Sequence, residues 1–220
     1  MIRLEVLPDP DAAAARVAAL VEESVNRVVT GGGRFAWAVS GGEGPDPMFR
    51  RVGALELPWG SIDTRQVDER IAPLGDPDRN RTRQERAFPS PALEGIRWMP
   101  VEDEDQDASA ARYAATLPDQ FDLVHLGLGT DGHTASLVPG DPVLDVVDRD
   151  VAVTGPYEGR RRMTLTYPAL SRARRVVWLV TGEEKREAVR SLLAGDRSIP
   201  AARVPVADQI LITDRAASAA

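Results

Sequence analysis

His133 and Asp131 lie two residues apart on a glycine-rich segment, and they are the residues best suited to chemistry in this chain. An imidazole titrates near neutral pH, so a histidine can remove a proton from one group and return it to another. A nearby aspartate can orient the ring or stabilise its protonated form. The second histidine, His125, falls inside a predicted strand, and we interpret it as structural. The pair therefore predicts general acid–base catalysis.

The segment that carries this pair has the sequence FDLVHLGLGTDGHTASLVPG and spans residues 121–140. Its first six residues are mostly apolar and predict a buried strand. Gly127, Gly129 and Gly132 follow, and glycine allows a sharp turn and a close approach of the backbone to a ligand. Ligands of open α/β sheets bind at the carboxyl ends of strands, so we expect Gly129 to contact a substrate.

The same segment contains the pattern G-x-G-x-x-G, which can mark a dinucleotide site. Such a site needs a long helix that begins at the third glycine, so that the pyrophosphate meets the helix N-terminus. Only six residues separate Gly132 from Pro139, which leaves room for one or two helical turns. We therefore reject a dinucleotide site and expect no cofactor.

A glycine turn also follows the strand predicted over residues 34–39. Ser40, Gly41 and Gly42 come directly after this strand, and a helix is predicted from about residue 47 to residue 55. A strand, a glycine turn and a helix together place backbone N–H groups where they can hold a phosphate. An ordinary strand–helix turn has the same pattern, so both interpretations stay open.

Charged side chains follow the strand predicted over residues 61–67. Asp68, Glu69 and Arg70 come at its carboxyl end. The planar guanidinium of an arginine there can hold a phosphate or a developing oxyanion. A solvated run of charges is the alternative interpretation of these three residues.

Lys185 is the only lysine among 27 basic residues, and it lies in the first turn of a helix predicted over residues 183–193. Codon bias explains the excess of arginine, but a lysine that persists against it can be needed as a compact ammonium donor.

Arg162 ends a run of three arginines that starts at Arg160, and this run can face either an anionic ligand or water.

The rest of the chain alternates between strand and helix patterns. Further strands are predicted over residues 2–7, 96–101, 151–154, 163–166, 175–181 and 209–213, helices over residues 9–29 and 108–117, and a polar helix or loop over residues 79–86. This alternation predicts an α/β fold, Rossmann-like, with a mainly parallel sheet and helices on both faces. We expect one domain over residues 1–220, with the polar groups described above at one sheet edge.

Composition excludes several classes of protein. A net charge of −7 without a dominant basic patch argues against a nucleic-acid partner. The absence of cysteine removes disulfides and Cys-ligated metals, and two separated histidines make a poor metal site, so we expect no metal. No apolar run has transmembrane length, and the N-terminus lacks the basic start of a signal peptide. We expect a cytoplasmic protein without a membrane partner, either a monomer or a weak homodimer.

Several motifs together resemble the 6-phosphogluconolactonase family, whose superfamily includes glucosamine-6-phosphate isomerase. They are AVSGG, VDERIAP with DPDRN, GLGTDGHTASLVPG, RMTLT and VTGEEK, and the resemblance covers about residues 38–214. It implies a Rossmann-like sheet and the hydrolysis of 6-phosphogluconolactone, a sugar phosphate, to 6-phosphogluconate in the pentose phosphate pathway. After Ser-Gly-Gly the family usually has serine or threonine, whereas this chain continues with Glu43.

Two positions distinguish the lactonase from the isomerase. Leu137 and Val138 stand where the isomerase has an asparagine–glutamate pair, and Arg70 stands where it has tyrosine. Both differences favour the lactonase. The isomerase and a non-catalytic sugar-phosphate sensor are kept as alternatives, although no basic helix-turn-helix segment of the kind expected in a sensor is present.

The resemblance assigns roles to the candidate residues. His133 would activate water and later protonate the ring oxygen, Asp131 would orient the ring or stabilise the imidazolium, and Arg70 would stabilise the oxyanion or hold the phosphate. The expected substrate-binding residues are Ser40, Gly41, Gly42, Asp68, Arg70, Gly129, Arg162 and Lys185.

Overall fold

A computed structural model describes residues 1–42 and 44–218, so Glu43 lies outside the described residues. The strands are β1 (Arg3–Leu7), β2 (Phe35–Val39), β3 (Ile62–Gln66), β4 (Asp68–Arg70), β5 (Ile96–Arg97), β6 (Leu123–Leu126), β7 (Val151–Val153), β8 (Arg162–Leu165), β9 (Val176–Val180) and β10 (Gln209–Asp214). The α-helices are α1 (Pro10–Thr30), α2 (Asp46–Gly53), α3 (Asn80–Ala87), α4 (Ser90–Glu94), α5 (Gln106–Ala114), α6 (Tyr167–Leu170) and α7 (Arg186–Ala194). Short 3-10 helices span Trp59–Ser61, Pro142–Asp145, Glu183–Lys185 and Pro200–Arg203.

Seven strands form the main sheet in the order β1-β10-β9-β6-β2-β3-β5, and all neighbouring pairs are parallel. The central strands are almost continuously apolar and buried, as in VVWLV of β9. Strands with this pattern need cover on both faces of the sheet, because neither set of alternating side chains tolerates water. The predicted mainly parallel α/β fold is confirmed.

Two hydrophobic clusters cover the faces of this sheet. Residues of α1, α2 and α4 pack with Trp37 of β2 on one face, and residues of α5, α6 and α7 pack with Trp178 of β9 on the other. Helix α1 begins at a favourable cap, because the side chain of Asp9 accepts a hydrogen bond from the backbone N–H of Ala12 at 2.8 Å. A cap of this type contributes about 1 kcal/mol. Helices therefore flank both faces, as the sequence predicts.

A second, three-stranded antiparallel sheet has the order β4-β8-β7 and is absent from the sequence prediction. Residues Asp68–Arg70 are not a continuation of β3, because the chain leaves the main sheet at Val67. The carbonyl of Val67 accepts a hydrogen bond from the N–H of Leu165 at 2.7 Å, which directs the following residues onto β8. Arg70 and Arg162 are consequently direct partners across the pair β4–β8.

Several predicted elements have other bounds in the structure. The strand predicted over residues 96–101 is limited to β5, and the polar segment 79–86 is helical as α3. The helix predicted from residue 183 begins as a 3-10 turn and becomes α-helical at Arg186. Residues 130–140 form turns and one isolated bridge without a helix. Among the described residues, no helix has the length and apolar character needed to cross a membrane.

Candidate active site

The order of the strands creates a crevice between β2 and β6. From β2 the chain proceeds to β3 and β5 on one side, whereas from β6 it proceeds to β9 and β10 on the other. Such a reversal separates the loops that follow the two strands, and ligands of open α/β sheets bind there. Ser40 and Gly127 border this crevice, and the N–H of Gly127 lies 3.4 Å from Oγ of Ser40.

A cavity of about 240 Å³ opens at this edge of the sheet. Nearly all of the residues predicted for the site line it, namely Ser40, Gly41, Gly42, Asp68, Arg70, Gly129, His133, Arg162 and Lys185. Asp131 is not part of the lining, but it contacts His133. The structure therefore brings the residues from the ends of four strands to one cavity.

The side chains of His133 and Asp131 form a close pair. Nδ1 of His133 lies 2.6 Å from Oδ1 of Asp131, and the backbone N–H of His133 donates to the same oxygen at 3.1 Å. The N–H of Gly129 donates to the carbonyl of His133 at 2.8 Å and closes the loop. A Cβ atom at Gly129 would overlap the imidazole ring, which explains why glycine occupies this position.

The charge state of Asp131 follows from its contacts. Partial burial raises the pKa of this carboxyl, but the hydrogen bonds and charge of His133 and the hydroxyl of Tyr157 outweigh burial and lower its pKa below the ordinary value. An ionised Asp131 is an acceptor only, so Nδ1 of His133 carries the proton in this pair. Nε2 is then the nitrogen that is able to accept a proton from a water molecule.

The three consecutive arginines, Arg160 to Arg162, have different surroundings in the structure. Arg160 pairs with Asp76 and Asp78 outside the 240 Å³ cavity, and Arg161 is exposed. Arg162 is buried and lines the cavity, where its Nη2 donates to Oε2 of Glu158 at 2.9 Å. Only the last of the three arginines is thus available to an anion in this cavity.

Arg70 and Lys185 add two further cations. Nη1 of Arg70 donates to the carbonyl of Asp78 at 2.9 Å and to Oδ1 of Asn80. The ammonium of Lys185 forms no hydrogen bond or ion pair with any residue of 1–42 and 44–218, although Lys185 lines the cavity. A partly buried ammonium without a protein partner is suited to an anionic ligand.

The carboxylate of Asp68 is held by its neighbours. Oδ2 accepts a hydrogen bond from Oγ of Ser136 at 2.7 Å, and Oδ1 accepts one from Nδ2 of Asn80 at 3.1 Å. Because both oxygens are occupied, Asp68 fixes the loop of Ser136 against α3 and is less suited than His133 to accept a proton.

Asn80 lines the cavity, but it is missing from the sequence prediction. The buried carboxylate of Glu69 accepts the backbone N–H groups of Asn80 and Arg81, each at 2.8 Å, and so caps the first turn of α3. A Cβ atom at Gly41 would overlap the side chain of Asn80. The motif DPDRN, which ends in Asn80, could have indicated this residue, but the spacing along the sequence does not connect Asn80 with Gly41.

Tyr157 is the second residue that the sequence prediction missed. Its hydroxyl donates to Oδ2 of Asp131 at 3.1 Å, and its ring packs edge-to-face on His133 with 5.4 Å between centroids. Nothing in the motif that surrounds Tyr157 indicates this contact.

No group of three or more His, Cys, Asp or Glu residues within the described part of the chain is arranged to hold a metal ion.

Comparison with known proteins identifies the family. A family model described as glucosamine-6-phosphate isomerases/6-phosphogluconolactonase matches residues 8–212. The chain belongs to this family.

Individual relatives agree with this assignment. The chain is 35% identical to a 6-phosphogluconolactonase of Nostoc sp., over 98% of this chain and 97% of the relative. A 6-phosphogluconolactonase structure from Thermotoga maritima has a TM-score of 0.87 at 23% identity and covers 97% of this chain and 99% of that one. A monomeric glucosamine-6-phosphate deaminase has a TM-score of 0.86 at 19% identity, with 98% of each chain covered. The fold therefore does not separate the two branches of the family.

Leu137 and Val138, two of the positions that the sequence analysis used to distinguish the branches, are buried in this member of the family. Leu137 is fully buried and Val138 is 6% exposed, and both side chains contribute to the hydrophobic core. Neither position provides an acidic side chain, in contrast to the pair that the resemblance implies for the isomerase.

Proposed function

We propose that this chain hydrolyses 6-phospho-D-glucono-1,5-lactone to 6-phospho-D-gluconate in the oxidative pentose phosphate pathway, with His133 as the general base. The observation that carries the proposal is the Asp131–His133 pair in a cavity that is also lined by Arg162 and Lys185. Relatives named 6-phosphogluconolactonase support the reaction, and the predicted lactone hydrolysis is confirmed at that level. The role of His133 stays a prediction.

The proposed reaction needs one proton to be moved twice. Nε2 of His133 removes a proton from water while the water oxygen bonds to the lactone carbonyl carbon, and the carbonyl oxygen becomes an oxyanion. When the oxyanion collapses, the bond between that carbon and the ring oxygen breaks, and the imidazolium returns its proton to the ring oxygen. Asp131 stabilises the imidazolium and keeps Nδ1 protonated throughout.

The phosphate of the substrate is assigned to the cationic part of the cavity. Lys185 and Arg162 provide the charges, and the loop Ser40–Gly42 provides backbone groups at the end of β2. Arg70 is open to two roles, because it can hold the phosphate or stabilise the oxyanion. Asp68 and Gly129 complete the proposed substrate-binding set.

The first experiment is an assay with fresh 6-phosphogluconolactone, corrected for spontaneous hydrolysis. We expect acceleration of lactone opening and no release of ammonia from glucosamine 6-phosphate. Ammonia release without lactone opening would assign the chain to the isomerase branch. Tight binding of a sugar phosphate without turnover of either substrate would assign it to a sensor.

The second experiment tests His133. His133→Ala should lower kcat about 10²–10⁴-fold, the usual contribution of a positioned acid–base group. Binding of 6-phosphogluconate, measured by calorimetry, is the control and should change little, because the anion is bound by other side chains. A folded variant with near-normal turnover would show that another group, such as Asp131 or Asp68, activates the water.

The remaining expectations from the sequence belong to the same proposal. They are action without metal or cofactor, a single functional unit over residues 1–220, a cytoplasmic location, the lack of nucleic-acid or membrane partners, and a monomeric or weakly dimeric state. Light scattering at two protein concentrations tests the last of these.

A further inference from the structure

Tyr157 lies at the end of a tight hairpin between β7 and β8. Tyr157 and Arg160 exchange backbone hydrogen bonds of 2.9 and 3.2 Å around the two-residue turn Glu158-Gly159. Both turn residues have positive φ, +50° for Glu158 and +79° for Gly159. This is the pattern of the type I′ turn, which matches the twist of the strands and gives the hairpin a defined geometry. The turn therefore presents the tyrosine ring from a rigid support.

The ring of Tyr157 contacts both Arg162 and the proposed base. The guanidinium of Arg162 lies 4.8 Å from the ring centroid. The ring also packs against the imidazole of His133. Such contacts with a cation and an aromatic ring fix the plane of the tyrosine.

The hydroxyl of Tyr157 completes the hydrogen bonds of Asp131. Oδ1 of Asp131 is occupied by His133, and Oδ2 accepts the tyrosine hydroxyl at 3.1 Å. Burial, together with the nearby negative charge of Asp131, raises the pKa of Tyr157 to about 12, so the hydroxyl keeps its proton and acts as a donor. With both oxygens bonded, the carboxylate cannot rotate away from the imidazole without losing a bond.

We propose that Tyr157 is a positioning residue for the hydrolytic reaction, which holds Asp131 in the orientation that keeps His133 as a base. This inference rests on the proposed function of His133. Tyr157 does not exchange protons with the substrate. It acts through Asp131, and removal of its hydroxyl should affect the rate of the chemical step more than the binding of the anion.

The test is Tyr157→Phe, which removes the hydroxyl and retains the ring beside Arg162. We expect kcat to fall about 10-fold, the lower range for loss of a group that orients a functional side chain, with KM within about twofold of the wild type. Tyr167→Phe is the matched control, because the hydroxyl of Tyr167 bonds to the carbonyl of Pro200 and does not contact Asp131 or His133. An unchanged kcat in Tyr157→Phe would overturn the proposal.

A double-mutant cycle separates action through Asp131 from a general structural effect. In an Asp131→Asn background, the additional Tyr157→Phe change should alter kcat less than about twofold, because the carboxylate that the hydroxyl orients is no longer present. A loss of about 10-fold in both backgrounds would show that Tyr157 acts independently of Asp131, and it would overturn the proposal.

A spectroscopic measurement makes the result independent of turnover. Nitrogen NMR of the two histidines distinguishes the Nδ1–H and Nε2–H tautomers, and a His125→Met variant identifies the signals of His133. We expect the Nδ1–H form in the wild type and a mixture of tautomers in Tyr157→Phe. An identical tautomer in both proteins would contradict the inference. Wild-type protein without lactonase activity, but with this tautomer shift, would instead contradict only the proposed function.

Discussion

The first prediction concerns a single residue, Lys185. Its ammonium lines the cavity and has no partner among residues 1–42 and 44–218, so the substrate phosphate would be its first ionic partner. Lys185→Met should weaken binding of 6-phosphogluconate by about 1.5–3 kcal/mol, the usual contribution of a hydrogen bond to a charged group. Calorimetric titration measures this loss.

The matched control for Lys185 is Arg190→Met on α7. Arg190 pairs with Glu187 and is absent from the cavity lining, so its replacement removes one positive charge without affecting the site. If both variants bind the product as the wild type does, Lys185 is a surface residue and the cationic part of the cavity has to be reassigned.

Glu158 is expected to compete with the substrate phosphate for Arg162. Its carboxylate is 68% exposed and pairs with the buried guanidinium of Arg162 at 2.9 Å. A bound phosphate would replace this carboxylate, so Glu158→Gln should lower KM. The effect should not exceed about fivefold, because an ion pair with one exposed partner contributes at most about 1 kcal/mol. Steady-state kinetics measures it.

Glu187→Gln provides the comparison for Glu158, since Glu187 is an exposed acid paired with an arginine outside the cavity. It should leave KM unchanged. A higher KM in Glu158→Gln would mean that the carboxylate holds Arg162 in place for the substrate and does not compete with it.

Among the strands, β6 is buried between β9 and β2 but contains a polar residue, His125. His125 is 1% exposed, and its ring nitrogens have no partner within the described residues. Burial lowers the pKa of His125 to about 4, and the ring packs against Phe49 with 6.1 Å between centroids. The histidine is thus neutral in the folded protein at neutral pH, as its structural role requires.

The buried histidine predicts a loss of stability in acid. Between its unfolded pKa of about 6.5 and its folded pKa of about 4, the unfolded chain binds more protons than the folded protein, so the stability from neutral His125 falls as the pH drops. The contribution is complete above about pH 6.5, and roughly 3 kcal/mol is lost by about pH 4. His125→Met removes this loss.

Urea unfolding of the wild type and His125→Met at several pH values tests this prediction. The difference between their free energies of unfolding should shift in favour of the variant as the pH falls from about 7 to about 4. Other titrating groups occur in both proteins and cancel in the difference. A difference that does not change with pH would show that His125 is not held neutral.

At the scale of the whole molecule, the parallel sheet positions the site. β9, β6, β2 and β3 are consecutive in the sheet, and the residues that follow them border one cavity. The second sheet then adds Arg70 and Arg162 from opposed positions on β4 and β8. The protein thus provides cations, a histidine and hydrogen-bond donors from side chains and backbone alone.

This arrangement predicts hydrolysis without metal. Dialysis against a chelator should leave kcat and KM unchanged, because the proposed pair of His133 and Asp131 would generate the nucleophile and the described residues include no cluster suited to a metal. The dialysed enzyme is assayed with and without added Mg²⁺ and Zn²⁺. A loss of activity that either ion restores would assign the activation of water to a metal.

The family, the fold class and most of the candidate site could be predicted from the sequence. Glycines after apolar segments indicated strand ends, and parallel strands with right-handed connections place their carboxyl ends on one edge. Ser40, His133 and Lys185 therefore converge, although they lie far apart along the chain. These features depend on local composition and on general rules of sheet geometry, which explains why they were accessible.

The contacts that depend on register and packing are visible only in the folded protein. Tyr157 reaches Asp131 because a hairpin of the second sheet turns back over the site, and Asn80 fits beside Gly41 because Glu69 caps α3. The sequence carries no local signal for such contacts, since each partner lies on a different element. Antiparallel pairing of β4 with β8 is likewise decided by hydrogen bonds between distant segments, and a change of one residue in register would turn these side chains to the other face.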